Sequence, residues 1–420
     1  MAPETTFAYP RSWQPVVIEG RALPDLLGGG IEDIALLRCG GSTCDAIPFQ
    51  VDERDPAGRW ALEEGPSPTP DDSPGLVDGD DVLLFLAEDA GPRAPALARR
   101  LGARVEIEVV DPLGFPSRWV YAAVVDGGAP RSPVRYVTYD PAADRLVGRI
   151  TLGYRDGIPQ LLALTPGGDN VLDRLKIRAL ATFLWGLIRV GRSEADLVPD
   201  AVAWRAGPIR VLRRQALQIR MRFGIRSPRF TATTYFYRDF SELPLSIRLR
   251  VPPRYLFTSI RVQGGLDFHR LPGEWSVRLP GLAEALPAGC RQGGPTLRRD
   301  GIAGDWFALE GERLRIVQRL HRGPTLRSVR QWAWYRNGAV DDPPENEPGQ
   351  CPGVGFTLDD WDGVEGGVHT LTSTSWVTDR DADLGVFLAT VDAPLAVIVR
   401  PMAASPGEVP EARGAPAPLP

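Results

Sequence analysis

The chain has 420 residues, 43% of them hydrophobic, which is enough for two or three sizeable cores and argues against disorder of the whole chain. Its 45 Gly and 41 Pro argue against long helices and favour many short strands joined by turns. A formal charge of −5 argues against a general nucleic-acid binder.

In chain order, "MAPETTFAYPRSWQP" has neither the basic start nor the apolar core of a signal peptide. Residues 1–14 read as an N-terminal extension, and the chain as either cytoplasmic or the mature part of an exported precursor. Residues 15–130 read as a first β-sandwich domain. Its strands are "PVVIEG", "DIALLRC", "AIPFQVD", "DVLLFLA", "RVEIEVVD" and "RWVYAAVVD", each bounded by Gly, Pro or Asp. Residues 63–80 form a Pro/Ser/Asp loop between them. Cys39 and Cys44 flank "GGST", a loop flexible enough to bring the two sulfurs together. With Cys290 and Cys351 there are four cysteines, whose spacing is wrong for a Cys₄ zinc site and suits disulfides in an oxidising compartment.

Residues 131–400 read as a larger β-sandwich domain. In "LSIRLRV" and "QIRMRF" apolar residues alternate with Arg248 and Arg250, and with Arg220 and Arg222. Further strands are "TTYFYRDF", "LRIVQRL", "RQWAWYR", "VHTLTSTSWVT" and "GVFLATV…LAVIV". Residues 171–190 fit either a helix, by the spacing of their leucines, or a strand, by the alternation of Arg174, Lys176 and Arg178. The run "ALATFLWGLI" at 179–188 is too short to span a bilayer, so the chain is soluble or peripherally attached. Residues 401–420 form a disordered Pro/Ala tail. The fold class is all-β: large antiparallel sandwiches, up to supersandwich scale, with few short helices.

Charge is unevenly spread. Residues 45–89 carry 13 Asp/Glu against two Arg, and residues 201–270 carry 14 Arg against three acids. Such patches dock on each other or face a charged partner. In "VDGDD", Asp78, Asp80 and Asp81 cluster round a Gly as calcium ligands do, but the EF-hand positions that follow are Val and Leu. An Asp-Gly turn entering the next strand explains the same residues. In "QVDER", Gln50, Asp52 and Glu53 read as a strand end rather than a carboxylate acid–base pair.

The histidines, His269, His321 and His369, have no second His at metal-ligand spacing. Asp267 and His269 are expected to share a strand face as a charge-tuned base. Neither a nucleophile elbow nor a P-loop is present. The Arg rows are the most informative pattern. Arg220, Arg222, Arg248 and Arg250, with Trp204 nearby, would grip carboxylates and stack on sugar rings if their strands are neighbours.

The patches "IPFQVDERD", "DGDDVLLFLAEDAG", "DRLKIR" and "AGPIRVLRR", in this order over residues 47–214, resemble a set of uncharacterised bacterial envelope β-sandwich proteins. More loosely, an early "IP-x-Q" strand before long sandwich regions is similar to secreted carbohydrate-active proteins of the rhamnogalacturonan-lyase and mutarotase-like type. No motif carrying their catalytic residues is present, so no role is carried over. The expectation is a periplasmic or secreted protein that binds an acidic polysaccharide, or also cleaves it by β-elimination with Lys176 or His269 as base. The alternative is a non-catalytic envelope or assembly component with a protein partner. Neither reading involves nucleic acid or a membrane span, and calcium, at Asp78, Asp80 and Asp81, is the one metal for which the sequence offers ligands.

Overall fold

A computed structural model describes residues 11–220, 226–227, 229–269, 271–289, 297–337, 343–346 and 352–402, excluding the side chains of residues 184, 201 and 297–300. Packing divides the chain into two units. The smaller comprises Met1–Trp60, Asp71–Val134 and Leu388–Pro420; the larger comprises Ala61–Pro70 and Arg135–Phe387.

The smaller unit contains β1 (Pro15–Glu19), β2 (Ile34–Gly40), β3 (Thr43–Ala46), β4 (Gln50–Asp52), β5 (Val82–Leu86), β6 (Ala103–Val110) and β7 (Arg118–Val124). A three-stranded sheet, β1-β5-β4, packs on a five-stranded one in which β6-β7-β2-β3 is edged by the chain's last strand, Ala396–Pro401. Val16, Ile18, Val51, Leu83 and Phe85 of the first sheet meet Leu36, Val105, Ile107 and Val120 of the second in one core. On the other face of the five-stranded sheet, Ala98 of helix α1 (Pro95–Arg100) packs with Leu37, Tyr121 and Ala123. Period-two alternation puts both sets in place, because successive side chains point to opposite faces.

Among the described residues the larger unit has three sheets. The first is four-stranded: β8 (Thr138–Asp140), β9 (Arg145–Val147), β10 (Thr151–Arg155) and β11 (Ile158–Ala163). Next in the chain come β12 (Leu172–Phe183), β13 (Ile188–Ser193), β14 (Leu197–Ala206), β15 (Arg210–Ile219), β16 (Phe230–Tyr237), β17 (Phe240–Leu249) and β18 (Ser259–Phe268). They are followed by β19 (Trp275–Arg278), β20 (Leu286–Ala288), β21 (Leu297–Ala303), β22 (Trp306–Glu310), β23 (Leu314–Arg322), β24 (Arg330–Arg336), β25 (Gly353–Asp359) and β26 (Gly367–Asp379). A six-stranded sheet, β13-β12-β18-β25-β24-β21, faces a nine-stranded one, β14-β15-β16-β17-β26-β23-β22-β19-β20. Val211, Phe236, Phe307 and Ile316 of the larger sheet pack on Leu172, Phe268, Tyr335 and Phe356 of the smaller. A second core, with Leu326, Trp361, Val364 and Leu371, fills the end where Ile247, Leu249 and Ile260 lie.

The architecture is the all-β sandwich expected. Residues 172–183 are the strand of the two alternatives, and the alternation of Arg174, Lys176 and Arg178 is what they obey. "GVFLATV", expected as a strand, is instead in helix α2 (Leu384–Asp392). The Asp383 carboxylate accepts the Val386 amide at 2.8 Å and so caps the first turn, while Phe387 and Thr390, three apart, share the buried side.

The boundaries also differ from 15–130 and 131–400. The chain returns to the smaller unit, where Val399 pairs with Ile107, and Ala61–Pro70 belongs to the larger, where Glu64 bridges Trp204. Arg11, expected in an extension, is fully buried against Asp111 at 2.6 Å. No helix among the described residues is long and apolar enough to cross a membrane, which says nothing of strands.

Candidate functional site

The outer face of the six-stranded sheet collects charged and aromatic side chains in rows. Residues directly opposite in antiparallel strands share a face. Across β12, β18, β25 and β24 the register therefore gives one row Arg174, Asp267, Gly353, Arg336 and a second Lys176, Gly265, Gly355, Trp334. The third is Arg178, Gln263, Thr357, Trp332, and the fourth Leu180, Arg261, Asp359, Arg330. Leu175, of opposite parity, lines a small cavity on the inner side. Glycines make room for the large groups. A Cβ on Gly265 would stand 2.5 Å from the Trp334 ring, and one on Gly353 would stand 3.3 Å from the Arg336 guanidinium. These side chains therefore lie across the sheet rather than rising from it.

The first two rows are buried. Lys176 Nζ donates to the Pro344 carbonyl at 2.6 Å and lies 3.4 Å from carboxylates of both Asp267 and Glu345. Arg336 Nη2 reaches Asp267 Oδ1 at 3.0 Å. Burial raises the Asp267 carboxyl above its ordinary value, while Arg336 and Lys176 pull it back. Beside them Glu194, wholly buried, pairs with Arg178 and accepts the Ile177 amide at 2.8 Å. Residues 343–346 lie over this end: the Asn346 side chain donates to the Asp173 carbonyl at 2.6 Å, and Arg178 donates to the Pro343 carbonyl at 3.1 Å.

The far rows are open. Side-chain exposure climbs from 6% at Lys176 to 65% at Arg330. Here a cavity of about 390 Å³ is lined by Arg189, Arg261, Arg330, Asp359, Asp360 and Trp361, among others. Arg261 lies 3.6 Å from Asp359, Arg330 lies 3.0 Å from Asp360, and the Trp332 indole N–H donates to Asp359 at 3.3 Å. Guanidiniums around a cavity, with the half-buried Trp332 in the next row of the same face, can bind a carboxylated ring by bidentate contact and stacking.

The residues singled out in sequence distribute differently. Lys176 and Asp267 meet, but as a buried ion pair. His269 falls after the end of β18 and lines a separate, larger cleft with Asp169, Asn170, Trp275, Glu312 and Arg313, while Asp267 sits in the first buried row with Lys176 and Arg336. Arg248 and Arg250 are exposed at the end of β17, and Arg220 follows β15 as a bridge partner of Arg226. Arg222 lies outside the described residues, as do Cys290 and Cys351. Trp204 is level with Arg213 and Thr234, whereas Arg248 is opposite Val368. That places Trp204 and Arg248 roughly 14 Å apart across the strands and roughly 17 Å along them. Trp204 packs edge-on against Tyr139 at 5.3 Å instead. Trp332, Trp334, Arg261, Arg330 and Arg336 were not singled out. Their signal is the period-two spacing of "RQWAWYR", whose Trp334 stands opposite Gly355 and, one strand further, level with Gly265.

In the smaller unit the acidic stretches are wired to each other. Gln50, Asp52 and Glu53 are all buried, Gln50 donates to Asp52 at 2.6 Å, and Glu53 accepts the Gly75 amide at 2.5 Å. Asp81 accepts the amides of Asp78 at 2.9 Å and Arg54 at 3.2 Å. Carboxylate oxygens of Asp71, Asp78 and Asp81 lie within 4.8 Å of one another. Asp80 is not in that group; its carboxyl bonds to Asp78, which raises its pKa. Cys39 and Cys44 form a disulfide across the β2–β3 hairpin.

No protein-family model matches the chain, and no curated protein matches it. Among solved structures it is similar to an alpha-mannosidase from Enterococcus faecalis V583, with a TM-score of 0.51 and 9% identity. The match covers 95% of this chain and 46% of the mannosidase, so the chain spans about half that protein's length. It is a likeness of fold alone. A putative aldose 1-epimerase from Escherichia coli K12 aligns with a TM-score of 0.29 and 12% identity, over 58% of this chain and 98% of that one.

Proposed function

We propose that the protein is an extracytoplasmic binder of acidic saccharides, and that the ligand lies on the open end of the six-stranded sheet. The observation that carries this reading is the convergence of Arg189, Arg261 and Arg330 on one cavity, the last two paired there with Asp359 and Asp360, at the end of a face whose half-buried Trp332 stands in the next row. Guanidinium forks match a uronate carboxylate, and an indole face matches the apolar face of a sugar ring. The Cys39–Cys44 disulfide supports an oxidising compartment, periplasmic or secreted.

Binding without cleavage is the form the geometry favours. β-Elimination needs a base to take the proton next to the uronate while an Arg neutralises the carboxylate. Lys176 is held by a carbonyl and two carboxylates, so it would have to lose these contacts first. The same compensation favours the second reading, a non-catalytic envelope or assembly component.

The test is a glycan-binding screen with uronic-acid polymers, with and without calcium, on the wild type and on Arg261→Ala/Arg330→Ala. Binding lost in the double variant supports the reading, and absorbance from an unsaturated uronate would make the protein a lyase. Silence across uronate polymers overturns it and leaves the assembly reading.

A further inference from the structure

Among the described residues, the most exposed apolar side chains of the larger unit gather at one tip, and the glycan reading uses none of them. The β12–β13 hairpin turns at Leu184–Gly186, leaving Trp185 89% and Leu187 82% exposed, with Ile188 beside them. The segment from β17 to β18 adds Tyr255 at 71% and Leu256 at 54%, together with exposed Val251. The two loops are tied together: the Thr258 amide donates to the Thr182 carbonyl at 2.7 Å, and the Phe183 and Phe257 rings sit 4.7 Å apart. Ile260 and Leu249, just inside the loops, belong to the end core. The tip thus stands on packed structure. Trp185 has φ of 53°, a position where Asn or Gly is the unstrained and more soluble choice.

Charge at the tip is one-sided. Residues 179–193 and 243–266 contain no Asp or Glu, and exposed Arg189, Arg248 and Arg250 flank the apolar groups. Of the acids beyond these segments, Glu365 pairs with Arg254, Asp359 with Arg261 and Asp360 with Arg330, while exposed Asp362 lines the neighbouring cavity. A protein partner would need a pocket shaped for side chains that protrude this far, whereas a bilayer interface accepts protrusions of any shape. Trp and Tyr favour the headgroup level, and flanking Arg favours anionic lipid.

We propose that this tip is a monotopic membrane-docking element for an anionic bilayer. Trp185, Leu187, Tyr255 and Leu256 enter the interface, and Arg248 and Arg250 meet lipid phosphates.

The test is flotation of the full chain with phosphatidylcholine vesicles, with and without phosphatidylglycerol. Wild type floats with the anionic vesicles. Trp185→Ser/Leu187→Ser weakens this by about tenfold or more. Arg248→Gln/Arg250→Gln weakens flotation with anionic vesicles selectively and reduces its salt dependence. Tyr255→Ser/Leu256→Ser repeats the loss from the second loop, so a folding defect in one hairpin variant cannot decide the result. Uronate binding by the Trp185→Ser/Leu187→Ser variant stays at the wild-type level, which separates this inference from the glycan reading. Wild type that stays with the pellet, or tip variants that float as wild type does, overturns the proposal. Self-association abolished by the same tip variants, without vesicle binding, also overturns it and assigns the tip to a second copy of the chain.

Discussion

Asp81 gives the smaller unit a pH dependence of predictable sign. Its side chain is fully buried, and desolvation, with Asp78 and Asp71 close by, pushes its carboxyl from 3.8 up to about 7, against the pull of two amide bonds. A carboxyl whose pKa is raised in the fold holds its proton more tightly there than in the unfolded chain. Its contribution is therefore complete below the unfolded pKa and is lost as pH rises through about 7. The difference corresponds to about 4 kcal/mol, of which about 2–3 kcal/mol falls between about pH 5 and about pH 8. Urea denaturation at these two pH values, on wild type and Asp81→Asn, reads it directly. The variant should start about 1 kcal/mol lower at acid pH, since Asn can accept only one of the two amides, and should lose much less on going to pH 8. An unchanged slope in Asp81→Asn refutes the reasoning. Repeating the series in millimolar calcium separates the two readings of "VDGDD". A bound cation would hold Asp81 ionised and cancel the slope, whereas the turn held by backbone amides, the expected result, leaves it in place.

Three further outcomes follow from the geometry. Lys176→Met leaves Asp267 and Glu345 buried without their shared ammonium, and should cost about 3–5 kcal/mol of stability in denaturant titration; a variant as stable as wild type would mean the pair is not structural. Reducing the Cys39–Cys44 bridge, which spans five positions, should lower stability by about 2 kcal/mol, read as a shift in the denaturation midpoint with and without reductant. Gly265→Ala forces its new methyl against Trp334 and the Val354 carbonyl, and should cost about 1–3 kcal/mol in the same titration.

Strand order along the chain was legible because alternation survives wherever one sheet face is buried. "LSIRLRV" became the end of β17 for that reason, its leucines and isoleucine half-buried and its arginines exposed. "GVFLATV" misled because a continuous apolar run has no period, and the deciding signal, Asp383 as cap, lies outside it. Arginine rows were legible as outward-facing residues, yet not as a site. Whether Arg248 meets Trp204 depends on sheet order and on how far along its strand each lies, and neither follows from local pattern. The rows on β12, β18, β25 and β24 come from segments spread between Leu172 and Asp359, joined only by register. Lys176, the one lysine beside 47 arginines, is surrounded by compensating acids that lie far from it in sequence.

The most direct measurement is the affinity of a uronic-acid oligosaccharide for the wild type and for Arg261→Ala/Arg330→Ala, followed by calorimetric titration at low and physiological salt. The account predicts saturable wild-type binding that weakens with salt and falls by about tenfold or more in the double variant, with the fold intact. Wild-type binding that the double variant retains in full would contradict it.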